Sequence, residues 1–98
     1  EGYIREAAAS FVQVFSNKTS LITVTHAELR RDGKQAKIFV SVLPADKEEE
    51  ALEFLKRKRS ELRIYLKDKT RVFPIPLVDF AIDIGEKNRA RIDELSNE

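Results

Sequence analysis

Residues 21–43 constrain the fold more than any other stretch. Ala36, Ile38, Val40 and Val42 alternate with Lys37, Phe39, Ser41 and Leu43, the period-two pattern of a strand with one apolar face. Leu21 to Leu29 is rich in β-branched residues and reads as a second strand. Between them lies Arg30-Arg31-Asp32-Gly33-Lys34. Asp-Gly predicts a tight type I′ hairpin, because both central residues of that turn need positive φ. The two strands are therefore antiparallel, with Ala36, Ile38, Val40 and Val42 turned toward a layer of helices.

Helices are legible on both sides of this hairpin. Ile4, Ala7, Ala8, Phe11 and Phe15 recur at helical spacing, which predicts an amphipathic helix over 3–15, ended by the polar turn at 16–20. Pro44 closes the second strand. Asp46 is the expected N-cap of a second helix, with Glu48, Glu49, Glu50 and Glu53 near its start. Its apolar stripe is Leu52, Leu55, Leu62 and Leu66. That stripe should pass through position 58 or 59, where the chain instead reads Lys56-Arg57-Lys58-Arg59. The lapse predicts two helical segments meeting near 58–60, with Ser60 as a fresh N-cap and the second segment ending near Lys69.

Pro74 and Pro76 exclude helix from the following loop. Val78, Phe80, Ile82 and Ile84 alternate with Asp79, Ala81 and Asp83, which predicts a third strand ended by Gly85. The order is α-β-β-α-α-β, an α+β fold with helices on one face of a three-stranded sheet. A single domain is expected over 1–85, with 86–98 as a charged C-terminal tail. The chain begins at Glu1 inside a helical pattern, so native residues are expected to precede it.

Composition narrows the function classes. With 98 residues the chain fits one domain. It has no cysteine, which removes disulfide scaffolds and thiolate metal sites and fits a reducing, cytosolic setting. No apolar stretch approaches the ~20 residues of a membrane span, and no signal peptide is visible. Charged residues make up 36% of the chain, yet Lys+Arg of 18 against Asp+Glu of 17 leaves little net charge. Distribution therefore matters more than balance.

The densest positive stretch runs Lys56, Arg57, Lys58, Arg59, Arg63, Lys67, Lys69 and Arg71. One reading is a solvated helix, with acid at its start, base toward its end and an i,i+4 pair such as Glu53 with Arg57. The other is a phosphate-binding surface, since each cation that neutralises a phosphate releases counterions. The placement of Lys58 and Arg59, where a core side chain should stand, favours the second. Arg30, Arg31, Lys34 and Lys37 form a smaller basic group at the hairpin, and Arg89 and Arg91 a weaker one in the tail.

Catalytic constellations are absent from the sequence. His26 is the only histidine and reads as structural. Asp79 and Asp83 fit a solvated strand face better than a paired acid/base site. The acids at 46–53 look like helix-start charge rather than metal ligands. Three glycines, at 2, 33 and 85, make no phosphate loop. Tyr65, Phe54, Phe73 and Phe80 could stack on bases, although Phe80 fits the core better. No enzyme, cofactor or metal is expected.

Three stretches together resemble the ribosome-binding factor A family. They are residues 21–32 continuing through Ala36 to Leu43; Ala51-Leu52-Glu53 with Leu55, Leu62-Arg63, Leu66 and Pro76; and Phe80 with Asp83, followed by Ala90-Arg91-Ile92-Asp93-Glu94-Leu95. The resemblance implies a type II KH-like domain. The family lacks the KH Gly-x-x-Gly loop and carries instead a small-residue kink between two helices. Here the matching positions are Lys58, Arg59 and Ser60, and Arg89 stands where the family usually has glycine before Ala-Arg-Ile-Asp. The resemblance further implies a cytoplasmic bacterial factor, with an organellar host left open. Such a factor binds the small (30S) ribosomal subunit and its 16S-type rRNA near the processed 5′ end and is linked to growth in the cold.

Two functional readings follow. The first is a monomeric, non-enzymatic RNA-binding assembly factor, with no small-molecule substrate and no membrane partner. In it Lys56, Arg57, Lys58, Arg59, Arg63 and Lys67 contact phosphates, and Arg30, Arg31, Lys34 and Lys37 extend the footprint. The second is a non-catalytic protein-interaction module that uses its acidic and basic helix faces or a sheet edge.

Overall fold

A computed structural model describes residues 2–15, 20–70 and 73–85. Strands β1 (Leu21–Leu29) and β2 (Gln35–Leu43) form the expected antiparallel hairpin, and β3 (Leu77–Ile82) pairs parallel to β2, giving the order β1-β2-β3. Helix α1 (Gly2–Gln13) precedes the hairpin, and α2 (Glu48–Arg57) and α3 (Arg59–Lys69) form the crossover from β2 to β3. This is the α-β-β-α-α-β order of a type II KH-like domain. The turn at 16–19 and the tail at 86–98, with its Ala-Arg-Ile-Asp motif, lie outside the described residues, as does Arg71.

One face of the sheet carries all three helices. Ile38 and Val40 of the central strand are fully buried, flanked by Ile22 and Val24 of β1 and by Val78 and Phe80 of β3. Above them pack Ile4, Ala8 and Val12 from α1, Leu55 from α2, and Leu62 and Leu66 from α3. Leu55, Leu62 and Leu66 are fully buried, so truncating any one to Ala costs about 2–5 kcal/mol. In this stripe Ala51 is buried and Leu52 only partly so.

The helix break falls where the apolar stripe lapses. Lys58 adopts φ −98°, ψ 7°, outside the helical region, and ends α2 with its N–H on the Leu55 carbonyl at 2.9 Å. Its own carbonyl accepts the first bond of α3, from Leu62 N–H at 3.0 Å. Lys58 is therefore the junction, and Ser60 lies inside α3 rather than capping it. Nor does Asp46 cap α2. Ala45–Lys47 form a short 3-10 turn, and Lys47 stands at the N-cap without a side-chain hydrogen bond. Glu48, Glu49 and Glu50 in the first turn offset the helix dipole instead.

Two features of the hairpin differ from the sequence reading. The turn is not type I′: only Gly33 has positive φ, at 70°, and Gly33 N–H donates to Arg30 O at 2.8 Å. That pattern belongs to a longer loop built around a type I turn. Asp32 supports it by accepting Lys34 N–H at 2.9 Å. β1 also carries a bulge between Val24 and His26. The bulge shifts the apolar phase from Ile22 and Val24 to Ala27 and Leu29, and leaves Thr25 and His26 both on the sheet face away from the helices.

The third strand is shorter than its alternation suggests. It ends at Ile82, and Ile84 is exposed. Asp83, expected on a solvated face, is buried, and its N–H donates to Val40 O at 2.8 Å.

Candidate nucleic-acid interface

The hairpin end of the sheet and the helix junction meet. Parallel pairing sets Leu77 beside Gln35, and Leu77 N–H donates to Lys34 O at 2.9 Å. The start of β3 is thereby fixed against the hairpin, and Asp79 lies opposite Lys37. α2 and α3 pack on β3, which brings Arg59 to the same place. The result is an open depression of about 670 Å³, lined by Arg30, Arg31, Lys37 and Arg59 together with Glu28 and Asp79. Two basic groups far apart in sequence are thus joined on one surface.

Asp79 organises the junction side of this surface. Its Oδ1 accepts from Arg59 Nη1 at 3.3 Å and stands 3.8 Å from Lys56 Nζ. The same oxygen accepts Phe80 N–H at 2.9 Å, which holds the carboxylate in place. Arg59 Nε donates to Lys56 O at 2.9 Å. One carboxylate therefore orients two cations and leaves a net positive charge. These pairs are about half exposed, so they contribute little to stability. Their effect is to aim Arg59.

The other cations of the stretch have different surroundings. Lys58 explains its place in an apolar stripe by setting its ammonium over aromatic rings. Its Nζ is 5.5 Å from the Phe54 ring centroid and 5.9 Å from that of Phe15, with Glu61 at 3.5 Å. Phe54 and Phe15 belong to a chain of ring contacts that continues through Phe11 to Tyr65.

Arg63 is a latch. Its Nε donates to Pro76 O at 3.1 Å and its Nη2 to Ile75 O at 3.2 Å, tying the segment before β3 onto α3. Arg57 and Lys67 are exposed and make no ion pair among the described residues, so the expected Glu53–Arg57 pair does not form. Local pairs on this stretch include Lys47–Glu50 and Lys58–Glu61. Arg59, Arg63 and Lys67, each four residues from the next, share one face of α3. Lys34 sits at the hairpin tip, exposed.

Sequence reading missed Asp79 as a partner of the basic run. The signal lay twenty residues away in the chain, and only the parallel register of β3 brings it close. Phe73 is 91% exposed, while Phe80 is core, as expected. Among the described residues no group of His, Cys, Asp or Glu could hold a metal ion, and no helix is long and apolar enough to cross a membrane.

Comparison with known proteins agrees with this architecture. The family model for ribosome-binding factor A matches residues 1–96. The ribosome-binding factor A of Kosmotoga olearia is 30% identical over 96 residues, covering 97% of this chain and 77% of that protein. The crystal structure of ribosome-binding factor A from Thermus thermophilus superposes with a TM-score of 0.74 at 26% identity, over 84% of this chain and 90% of that one. A homology model of the Thermus thermophilus factor, fitted into the cryo-EM map of a 30S complex, gives a TM-score of 0.72 at 26% identity, over 83% and 88% of the two chains.

Proposed function

Because the chain belongs to the ribosome-binding factor A family, we propose that it is a cytoplasmic, non-enzymatic factor that binds the small (30S) ribosomal subunit through its 16S-type rRNA. It acts late in subunit maturation, including processing at the rRNA 5′ end. It works as a monomer, with residues 1–85 as the binding domain and 86–98 as an appended charged tail.

The observation that carries this reading is the convergence of Arg30, Arg31, Lys37 and Arg59 on one depression. Four cations against two carboxylates suit a phosphate backbone, and a broad, shallow surface suits a large ligand rather than a metabolite. The proposed footprint extends from this centre to Lys56 beside Asp79, to Lys34 at the hairpin tip and to Lys67 on the Arg59 face of α3, with Arg63 adding its charge from the latch; Arg57 and Lys58, which lie toward Phe15 and Phe54, form its far edge. Contacts of this kind position a protein on RNA more than they read sequence. Recognition then rests on rRNA shape and on a few unpaired bases.

The test is sedimentation of the purified protein with free small subunits and with assembled ribosomes, at low and high salt. Co-sedimentation with free subunits that is weaker on assembled ribosomes and lost at high salt supports an assembly factor. Equal binding to both counts against the maturation role. Salt-independent capture that survives nuclease treatment of the subunits favours a protein-interaction module.

A further inference from the structure

The sheet face away from the helices carries a feature that the basic depression does not use. His26 and Phe39 are cross-strand partners, and their rings stack with centroids 4.3 Å apart and planes 11° from parallel. Both are only partly buried; the His26 side chain is 44% exposed.

An unusual amount of structure holds this small stack. The β-bulge puts Thr25 and His26 side by side on the same face. Asp83, buried at 8% exposure, accepts from Thr25 Oγ1 at 2.5 Å and stands 3.3 Å from His26 Nδ1. Thr25 Oγ1 also lies 3.3 Å from Phe39 O. Glu28 Oε1 lies 3.6 Å from His26 Nε2. Both ring nitrogens therefore face carboxylates, which fixes the plane of an exposed ring. Burying a carboxylate is unfavourable unless it is well bonded, and bulges commonly re-aim a side chain at a functional surface.

The stack adjoins the basic depression. Lys37 lines the depression, and its Nζ lies 5.9 Å from the centroid of the Phe39 ring. Lys37 makes no ion pair among the described residues, so its charge is available to a phosphate.

We propose that the His26–Phe39 stack is a platform for an unpaired nucleobase of the RNA whose backbone occupies the neighbouring basic depression. This rests on the RNA-binding reading above and adds a second contact to it. The base continues the stack on a free ring face, and Lys37 neutralises the phosphate beside it. Stacking accepts any base, so the platform selects single-stranded over fully paired RNA rather than one sequence.

Two RNAs test this: a single-stranded oligoadenylate carrying one 2-aminopurine, and a blunt duplex with no unpaired nucleotide. Binding of the single strand is expected to quench the 2-aminopurine. His26→Ser and Phe39→Leu should each remove the quench and weaken single-strand binding about fivefold or more. Duplex affinity and its salt dependence should stay unchanged. Proton NMR of the unmodified protein gives a readout that needs no variant to fold. The His26 and Phe39 ring protons should shift upfield with the single strand and not with the duplex. Salt-dependent binding of both RNAs, without ring-proton shifts or any effect of the two variants, would overturn the platform and leave the basic interface standing. Failure to bind either RNA would overturn both.

Discussion

Arg63 belongs to a basic face, yet its guanidinium is spent on the backbone. Nε and Nη2 donate to the carbonyls of Pro76 and Ile75, and Pro76 is fully buried. Arg63→Ala removes both bonds at once and leaves a carbonyl in a buried segment without its donor. A hydrogen bond to a charged group is worth about 1.5–3 kcal/mol, and an abandoned buried partner costs about 1–3 kcal/mol. Since the two bonds share one partly buried side chain, their loss should total about 2–3 kcal/mol. In a domain of this size that lowers Tm by roughly 8–24 °C. Arg63→Lys keeps the charge but cannot span both carbonyls, so about half of the loss should remain. Urea unfolding followed by circular dichroism measures it, with a lower midpoint at an unchanged slope as the expected signature. A midpoint for Arg63→Ala equal to that of the unmodified protein would refute the latch. So would full recovery in Arg63→Lys, because charge alone would then explain the effect.

Other substitutions probe single features. Gly33→Ala meets no atom within 4 Å but must hold φ at 70°, so thermal melts should show a loss of about 1–2 kcal/mol from backbone strain alone. Lys58→Met replaces the ammonium over Phe54 and Phe15 with a flexible apolar side chain that can reach the same rings. Its stability should stay within about 0.5 kcal/mol of the unmodified protein by urea unfolding. Asp83→Ala removes the acceptor of Thr25 and the neighbour of His26. It should cost about 1.5–3 kcal/mol and broaden the His26 ring signals in NMR spectra.

Period and punctuation made most of the fold legible. The alternation of Ala36 to Leu43 set β2 and its buried face, and the missing apolar residue between Leu55 and Leu62 located the helix junction. Local chemistry misled where two solutions share a sequence. Asp-Gly serves a type I′ turn or, as here, a type I turn that needs positive φ only at Gly33. Asp46 and Ser60 are good capping residues at positions where the chain does not place a cap. The bulge at Thr25 was visible in principle, since Ile22, Val24, Ala27 and Leu29 break strict alternation between Val24 and Ala27.

For the interface, residue type was legible and geometry was not. Arg59, Arg30 and Lys37 are plainly basic, but only parallel pairing of β2 with β3 brings them around one depression with Asp79. The same limit applies to Lys58 and Arg63. Their charge is apparent in the sequence, while the rings under one and the carbonyls held by the other depend on tertiary packing.

The most direct measurement is the salt dependence of binding to free small subunits, for the unmodified protein and for an Arg31→Gln/Arg59→Gln double variant. If the four cations of the depression each meet one phosphate, they alone should contribute about −3 to the slope of log K against log salt, and contacts from the flanking cations should steepen it further. The double variant should flatten that slope by about 1.5 while its unfolding midpoint stays unchanged. A steep slope identical in both proteins would place the RNA elsewhere on the molecule. Binding that is indifferent to salt would contradict a phosphate interface altogether.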